Sequence, residues 1–199
     1  MLESIEELKN YKWGQMQLLG WRANNLPNFD SAYNTESRRD YRLKLALDKL
    51  IPDCENLLDL GCRAAKPAKK FCPVNVKYFP VDFKKHDDEV IACDFNSGDF
   101  PDLEVDAIIC AFTAEYVECL PQFLAHMCNV AQKQILMWCR PISEKEFLSN
   151  YRWKNPFLVD FTEEFLINTM QKNNFELNAQ HPDVKSPSII LYDFRRIAP

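Results

Sequence analysis

The length, composition and charge of this chain narrow its class before any motif is considered. At 199 residues it is expected to form one domain, residues 1–199. A composition of 47% hydrophobic and 27% charged residues excludes a disordered chain. A formal net charge of −5 argues against nucleic acid as a partner, because phosphate backbones are bound mainly through Lys and Arg. We therefore expect a small-molecule substrate or a protein partner.

Export, membrane spans and metal binding are not indicated by the sequence. The first seven residues are acidic and apolar rather than basic, and no apolar run approaches the roughly 18 residues of a membrane helix. We expect a soluble, cytoplasmic protein. The eight cysteines form no C-x-x-C pair, and several lie in apolar runs where a thiol acts as a small hydrophobic group. Core thiols are therefore predicted rather than metal ligands.

Residues 1–50 are predicted to form a helical lid at the N-terminus. Ser4 and Glu7 have the spacing of a capping box, and Thr35 is expected to cap a helix that runs to Leu50. Several aromatic residues lie between these helices, at Tyr11, Trp13, Trp21, Phe29 and Tyr33. They are more typical of packing than of ligand stacking.

From residue 51 to 199, apolar runs alternate with helical segments, a pattern typical of a parallel sheet covered on both faces by helices. Five strands are predicted at Asn56–Leu60, Val76–Val81, Val90–Cys93, Ala107–Ala111 and Gln134–Cys139. Helices are predicted from Glu118 to Gln132 and after Thr162.

Two further strands close the predicted sheet, at Phe175–Gln180 and Ser188–Arg195. Their connection is too short for a crossover helix, so this pair is expected to be antiparallel. The predicted fold class is α/β, with a doubly wound, mostly parallel seven-stranded sheet, an antiparallel last strand and a Rossmann-like core.

Three successive predicted strands end in an aspartate. Asp59 and then Gly61 close the first strand, Asp82 follows the second and Asp94 follows the third. Open parallel sheets bind ligands at the carboxyl ends of their strands. Carboxylates there accept hydrogen bonds from ribose hydroxyls or an exocyclic amine, and they repel a polyphosphate. The pattern predicts a nucleoside-type site.

The run from Leu57 to Cys62 resembles the first motif of class I S-adenosylmethionine-dependent methyltransferases, a strand leading into D-x-G-x-G-x-G. Asp82 stands where that family places the acid that holds the ribose, and Asp94-Phe95-Asn96 is similar to its adenine-contacting segment. The stretch from Asp106 to Val117 is similar to its fourth strand and following loop. The resemblance implies that S-adenosylmethionine is bound by Asp59, Gly61, Asp82, Asp94 and Phe95.

The glycine loop departs from the family pattern. Gly61 is followed by Cys62-Arg63-Ala64-Ala65, so only the first glycine of G-x-G-x-G is present. Arg63 is compatible with three placements: turned outward, paired with the cofactor carboxylate, or filling the cofactor volume. The stretch around Pro67 and the stretch after Asp82 are also short for helices.

The resemblance implies methyl transfer to an oxygen or nitrogen atom of a small molecule. No catalytic residue is predicted, because such transfer depends chiefly on proximity and orientation. Glu115 and Tyr116 follow the fourth strand, where such residues more often begin a helix than act as a base.

Two alternatives remain open at this point. Arg63 and Ala65 also suit a methyltransferase-like scaffold that has lost its cofactor, with residues 151–157 and the N-terminal aromatics contacting a protein. An unrelated nucleotide-binding enzyme, with Arg63 on a phosphate, is disfavoured by the three carboxylates.

Overall fold

The computed structural model describes residues 36–142 and 159–197, with side chains from residue 38 onward. Within these residues lie three α-helices: α1 (Glu36–Leu47), α2 (Leu120–Val130) and α3 (Glu163–Lys172). The strands are β1 (Asn56–Leu60), β2 (Lys77–Asp82), β3 (Ile91–Ala92), β4 (Val105–Ala111), β5 (Ala131–Cys139), β6 (Phe175–Asp183) and β7 (Ser186–Arg196). Short 3-10 helices occupy Pro67–Lys70 and Ala114–Tyr116.

Some predictions fall outside this description. The lid up to residue 35 and the aromatic segment 151–157 lie outside the described residues, and the division of the chain into a single domain stays a prediction. α1 ends at Leu47, three residues before the predicted end at Leu50.

The seven strands form one sheet in the order β3-β2-β1-β4-β5-β7-β6. Strands β1 to β5 pair in parallel, and β7 is antiparallel to both of its neighbours, β5 and β6. The predicted doubly wound sheet with an antiparallel last strand is therefore confirmed. The strand order reverses between β1 and β4, which places the ligand-binding switch point of such folds at these two strand ends.

Helices cover both faces of the sheet, as predicted. Leu58 and Leu60 of β1 pack in the core on the side of α2 and α3, together with residues such as Phe123. Leu57 lies in a second core, on the opposite face, with Leu43 of α1. Because side chains alternate along a strand, Asp59 shares the α1 face with Leu57.

All eight cysteines are free, and they are mostly part of these cores. Six are buried, Cys72 is half-buried and Cys119 is exposed. Burial raises the pKa of Cys54 to about 11, so this thiol stays protonated at neutral pH.

The connections after β1 and β2 are short, as the sequence indicates. The only helical turn between β1 and β2 is Pro67–Lys70, and residues 83–90 form turns and bends. Ion pairs join the two connections: Lys66 contacts Asp87, and its Nζ lies 2.8 Å from Glu89 Oε2. Surface ion pairs of this kind add little stability individually, but here they tie two helix-poor segments together.

β5 begins at Ala131, three residues before its predicted start at Gln134. The helix before it ends at Val130, where Ala131 adopts an extended backbone, and the Arg196 guanidinium contacts the backbone carbonyls of Cys128 and Ala131 at this C-terminus of α2. A cation at this end of a helix also interacts favourably with the helix dipole.

A buried glutamine on β5 joins the end of α1 to the sheet. Gln134 is fully buried; its Oε1 accepts a hydrogen bond from the Ile51 N–H at 3.0 Å. Its Nε2 donates to the Lys49 carbonyl at 2.9 Å and to Asp193 Oδ1 at 2.8 Å. These bonds satisfy backbone groups just beyond the helix that would otherwise be buried without partners.

We predict that Gln134→Ala lowers the free energy of unfolding by about 2–4 kcal/mol, because it leaves buried polar groups without partners. Gln132→Ala, at an exposed position on the same strand, is the matched control, expected to change stability by less than about 0.5 kcal/mol. Urea unfolding of both variants measures the difference. Equal losses in the two variants would contradict the assignment.

Candidate functional site

The carboxyl end of β1 turns back toward β2 through Gly61. Gly61 has φ +80°, and the N–H groups of Gly61 and Cys62 both donate to the Val81 carbonyl, at 2.9 and 3.0 Å. Glycine adopts this left-handed conformation readily, and other residues do so only at a cost. The loop after β1 is thereby fixed against the end of β2.

Thr113, just beyond β4, contacts this loop from the other side of the switch point. Its Oγ1 donates to the Leu60 carbonyl at 2.8 Å. A Cβ at Gly61 would lie 2.1 Å from Thr113 Oγ1. Gly61 is therefore required for close packing as well as for its backbone conformation.

Asp59 is buried on the α1 face of the sheet, with 3% of its surface exposed. The Tyr78 hydroxyl of β2 donates a hydrogen bond to Asp59 Oδ2. Burial, opposed by the Tyr78 bond and reinforced by the neighbouring Asp82, raises the pKa of Asp59 to about 7. This carboxyl lies behind the loop rather than at its open edge.

Asp82 lies at the end of β2 with its carboxylate aimed at the loop after β1. Oδ2 accepts the Arg63 N–H at 2.8 Å. Among the described residues, Oδ1 has two long contacts, 3.4 Å to the Lys84 N–H and 3.5 Å to His86 Nε2, and Asp82 is buried, with 5% of its surface exposed. A carboxylate has about four lone-pair sites, so Asp82 keeps capacity for further donors.

Asp94 lies on the exposed loop after β3, one residue beyond Cys93, whose N–H donates to the Asp82 carbonyl. Its Oδ1 accepts the Asn96 N–H at 3.0 Å, an Asx turn. The next residue, Phe95, packs its ring against Phe100 and Phe123, with centroids 5.6 and 5.0 Å away. Phe95 therefore anchors this loop to the core, while the Asp94 carboxylate remains exposed.

Asn96 joins the loop after β3 to the loop after β4. Its Nδ2 donates to the Tyr116 carbonyl at 3.1 Å, and its Oδ1 accepts the Glu118 N–H at 2.8 Å. Glu115, in the same stretch, is fully buried, and its Oε1 accepts the Arg140 N–H at 3.0 Å. Glu115 thus connects the end of β5 to the loop after β4.

The structure places the predicted site residues in two groups. Asp59, Gly61 and Asp82 lie together on the neighbouring strands β1 and β2, and Asp94 and Phe95 lie on the loop after the edge strand β3. No three His, Cys, Asp or Glu side chains in residues 36–142 and 159–197 come together as a metal site requires. Over the same residues, none of the helices has the length and apolar character needed to cross a membrane.

Comparisons with known proteins support the fold. No protein-family model and no curated protein matches the sequence. A Haloferax volcanii putative methyltransferase, solved with the Trm112 activator, has 12% identity and a TM-score of 0.65, covering 82% of this chain and 92% of its own. The Burkholderia thailandensis 1,6-didemethyltoxoflavin-N1-methyltransferase, solved with S-adenosylhomocysteine, has 11% identity and a TM-score of 0.62. The match covers 100% of this chain and 92% of that enzyme.

This chain has the class I methyltransferase fold. The fold by itself does not define the reaction, since it also matches the cyclase SpnF at 12% identity and a TM-score of 0.61, over 80% of this chain and 81% of SpnF. The chemistry of this chain depends on its own side chains.

Two aromatic residues near the ends of β2 and β4 were not predicted as site residues from the sequence. Phe83 follows Asp82 directly and is 49% exposed, although large aromatic residues are usually buried. The one sequence feature that could have indicated Phe83 as a site residue is its position directly after an acid at a strand end. Phe112 precedes Thr113 with φ 58°, and the Arg42 guanidinium lies 5.3 Å from its ring centroid. That conformation depends on tertiary packing, and no pattern in the sequence indicates it.

We predict that Gly61→Ala destabilises the protein by about 2–4 kcal/mol, from left-handed strain plus overpacking against Thr113. Gly98→Ala isolates the strain, because Gly98 has φ +87° and its nearest neighbour would be Gln122 Nε2 at 3.9 Å. Its expected cost is about 1–2 kcal/mol. Thr113→Ala should recover part of the Gly61→Ala loss in a double-mutant cycle measured by urea unfolding. Additive effects would contradict the contact.

We predict that the stabilising effect of Asp59→Asn grows with pH. Between the unfolded pKa of about 4 and the folded pKa of about 7, the native state holds a proton that the unfolded state has lost. The wild type therefore loses stability as pH rises through this window, and the asparagine variant does not.

We expect the free energy of unfolding of Asp59→Asn, relative to that of the wild type, to rise by about 2–3 kcal/mol between about pH 5 and pH 8. Urea unfolding at several pH values measures this difference. Asparagine keeps an acceptor for the Tyr78 hydroxyl. Asp102→Asn, at an exposed position, is the control. Parallel pH profiles for Asp59→Asn and wild type would show that Asp59 is ionised in the folded protein.

Proposed function

We propose that this protein is an S-adenosylmethionine-dependent methyltransferase acting on an oxygen or nitrogen atom of a small molecule. When bound, the cofactor supplies a methyl group on a sulfonium. A bond forms between that methyl carbon and the acceptor atom, the carbon–sulfur bond breaks with its electron pair remaining on sulfur, and the acceptor loses a proton to water. The products are S-adenosylhomocysteine and the methylated acceptor.

The observation that carries this proposal is the pairing of Asp82 with Phe83 at the end of β2. The Asp82 carboxylate is oriented by the Arg63 N–H and keeps lone pairs for other donors. The two hydroxyls of a ribose are donors of the required kind. The half-exposed ring of Phe83, the next residue in the chain, offers a flat apolar surface for the adenine base, with Lys84 Nζ 5.1 Å from its centroid.

The other predicted site residues take supporting places in this proposal. The Gly61 backbone, which carries no side chain, lines the approach to the cofactor, and the exposed Asp94 carboxylate accepts a hydrogen bond from the adenine amine. Asp59 and Phe95 act as positioning residues, because Asp59 is bonded to Tyr78 behind the loop and Phe95 is packed against Phe123.

A small-molecule acceptor is supported by the charge of the chain and by its structural neighbours. The net charge of −5 disfavours nucleic acid. The Burkholderia thailandensis enzyme was solved with 1,6-didemethyltoxoflavin bound. Transfer between two bound partners depends on proximity and orientation, which contribute up to about 7–11 kcal/mol in well-oriented reactions. No side chain of the described residues is therefore assigned as a general base.

We predict that S-adenosylhomocysteine binds to the wild-type protein in isothermal titration calorimetry and that Asp82→Asn weakens binding by about 10- to 100-fold, because charge-assisted hydrogen bonds to ribose become neutral ones. Phe83→Ala should weaken it by about 5- to 100-fold through lost stacking. Asp88→Asn, at a fully exposed position in the same connection, is the matched control.

Because Asp82 also accepts the Arg63 N–H, thermal unfolding of Asp82→Asn must show a folded protein before its affinity is interpreted. Absence of heat with wild-type protein at millimolar S-adenosylhomocysteine would refute the proposed function. Unchanged affinity in both Asp82→Asn and Phe83→Ala would place the binding site elsewhere.

A further inference from the structure

The side chain of Arg63, on the loop after β1, belongs to a half-buried residue. It makes no hydrogen bond or ion pair with other side chains in residues 36–142 and 159–197. Lys66, three residues later and also half-buried, contacts both Asp87 and Glu89. A partly desolvated guanidinium normally has an acceptor, so the Arg63 side chain is suited to an anionic partner.

The backbone of Arg63 is held rigidly in an unfavourable conformation. Its φ is 61°, which costs a residue other than glycine roughly 1–2 kcal/mol. Its N–H donates to Asp82 Oδ2 at 2.8 Å, and its carbonyl accepts the Lys66 N–H at 3.2 Å. Strain that the surrounding structure maintains in this way is concentrated at ligand-binding and catalytic positions.

The chain lacks the usual device for holding negative charge at this position of the fold. Doubly wound domains bind anions with the N–H groups of a glycine-rich loop and of the helix that follows β1. Here only the four residues Pro67–Lys70 are helical after β1. Asp82 is an acid that would repel an anion, so an anionic group beside this loop requires a fixed cation.

We propose that Arg63 binds the carboxylate of the cofactor's amino-acid part, and so replaces the missing glycines and helix. This inference rests on the proposed function. Of the three placements that the sequence leaves open for Arg63, it selects pairing with the cofactor carboxylate. Recognition of the cofactor then has two parts: Asp82 and Phe83 bind the nucleoside, and Arg63 binds the amino acid.

Two ligands that differ in the amino-acid part test this division. S-adenosylhomocysteine carries the carboxylate, whereas 5′-methylthioadenosine keeps the adenosine and the thioether sulfur but lacks the amino-acid part. Arg63→Gly removes the guanidinium at a position whose φ of 61° suits glycine, so the loop conformation is preserved. Arg63→Lys retains the charge, and Lys69→Ala removes a nearby exposed charge as a control.

We expect Arg63→Gly to weaken S-adenosylhomocysteine binding by about 10- to 100-fold in titration calorimetry and to change methylthioadenosine binding by less than about twofold. Arg63→Lys should recover part of the affinity, and Lys69→Ala should leave both ligands unaffected. Equal losses for the two ligands, or no loss for either, would overturn the inference while leaving the proposed function intact. Wild-type protein that binds neither ligand would instead refute the proposed function.

Discussion

The contact between Gly61 and Thr113 is the constraint on which the rest of the site depends. It joins the ends of β1 and β4 at the point where the strand order reverses, and it leaves no room for a side chain at residue 61. With Gly61 fixed, its N–H and that of Cys62 reach the Val81 carbonyl, and the Arg63 N–H reaches Asp82. One close approach thus sets the path of the loop and the direction of the carboxylate at the end of β2.

The electrostatics of this rim follow from where each acid is buried. Two ionised carboxylates on adjacent strands would repel each other, and burial of Asp59 behind the loop favours its neutral form, with a pKa of about 7. Tyr78 donates to that carboxyl and satisfies it within the fold. Asp82 is therefore the acid of this pair whose carboxylate accepts a hydrogen bond from the loop after β1.

The sequence predicted the sheet well because strand identity here is a local property. β1 occupies Asn56–Leu60 as predicted, since its apolar run is bounded by Glu55 and Gly61. β3 has two residues instead of four: Ile91 and Ala92 pair with Val81 and Asp82, and Cys93 adds only a hydrogen bond from its N–H to the Asp82 carbonyl. β5 begins three residues before its predicted start because the chain turns from helical to extended backbone directly at Ala131, where Arg196, far along the chain, binds the last carbonyls of the helix.

The site was less predictable, because it depends on side-chain direction and on distant contacts. Asp59 alternates with Leu58 and Leu60, so its place on the α1 face was implicit in the strand period, while the packing of Thr113 was not. The same distinction bears on function, since proteins described as methyltransferases and as a cyclase share this sheet. Around the loop after β1 this chain has an acceptor, the Asp82 carboxylate, and a cation, the Arg63 side chain, and these side chains rather than the sheet distinguish it from other proteins of the same fold.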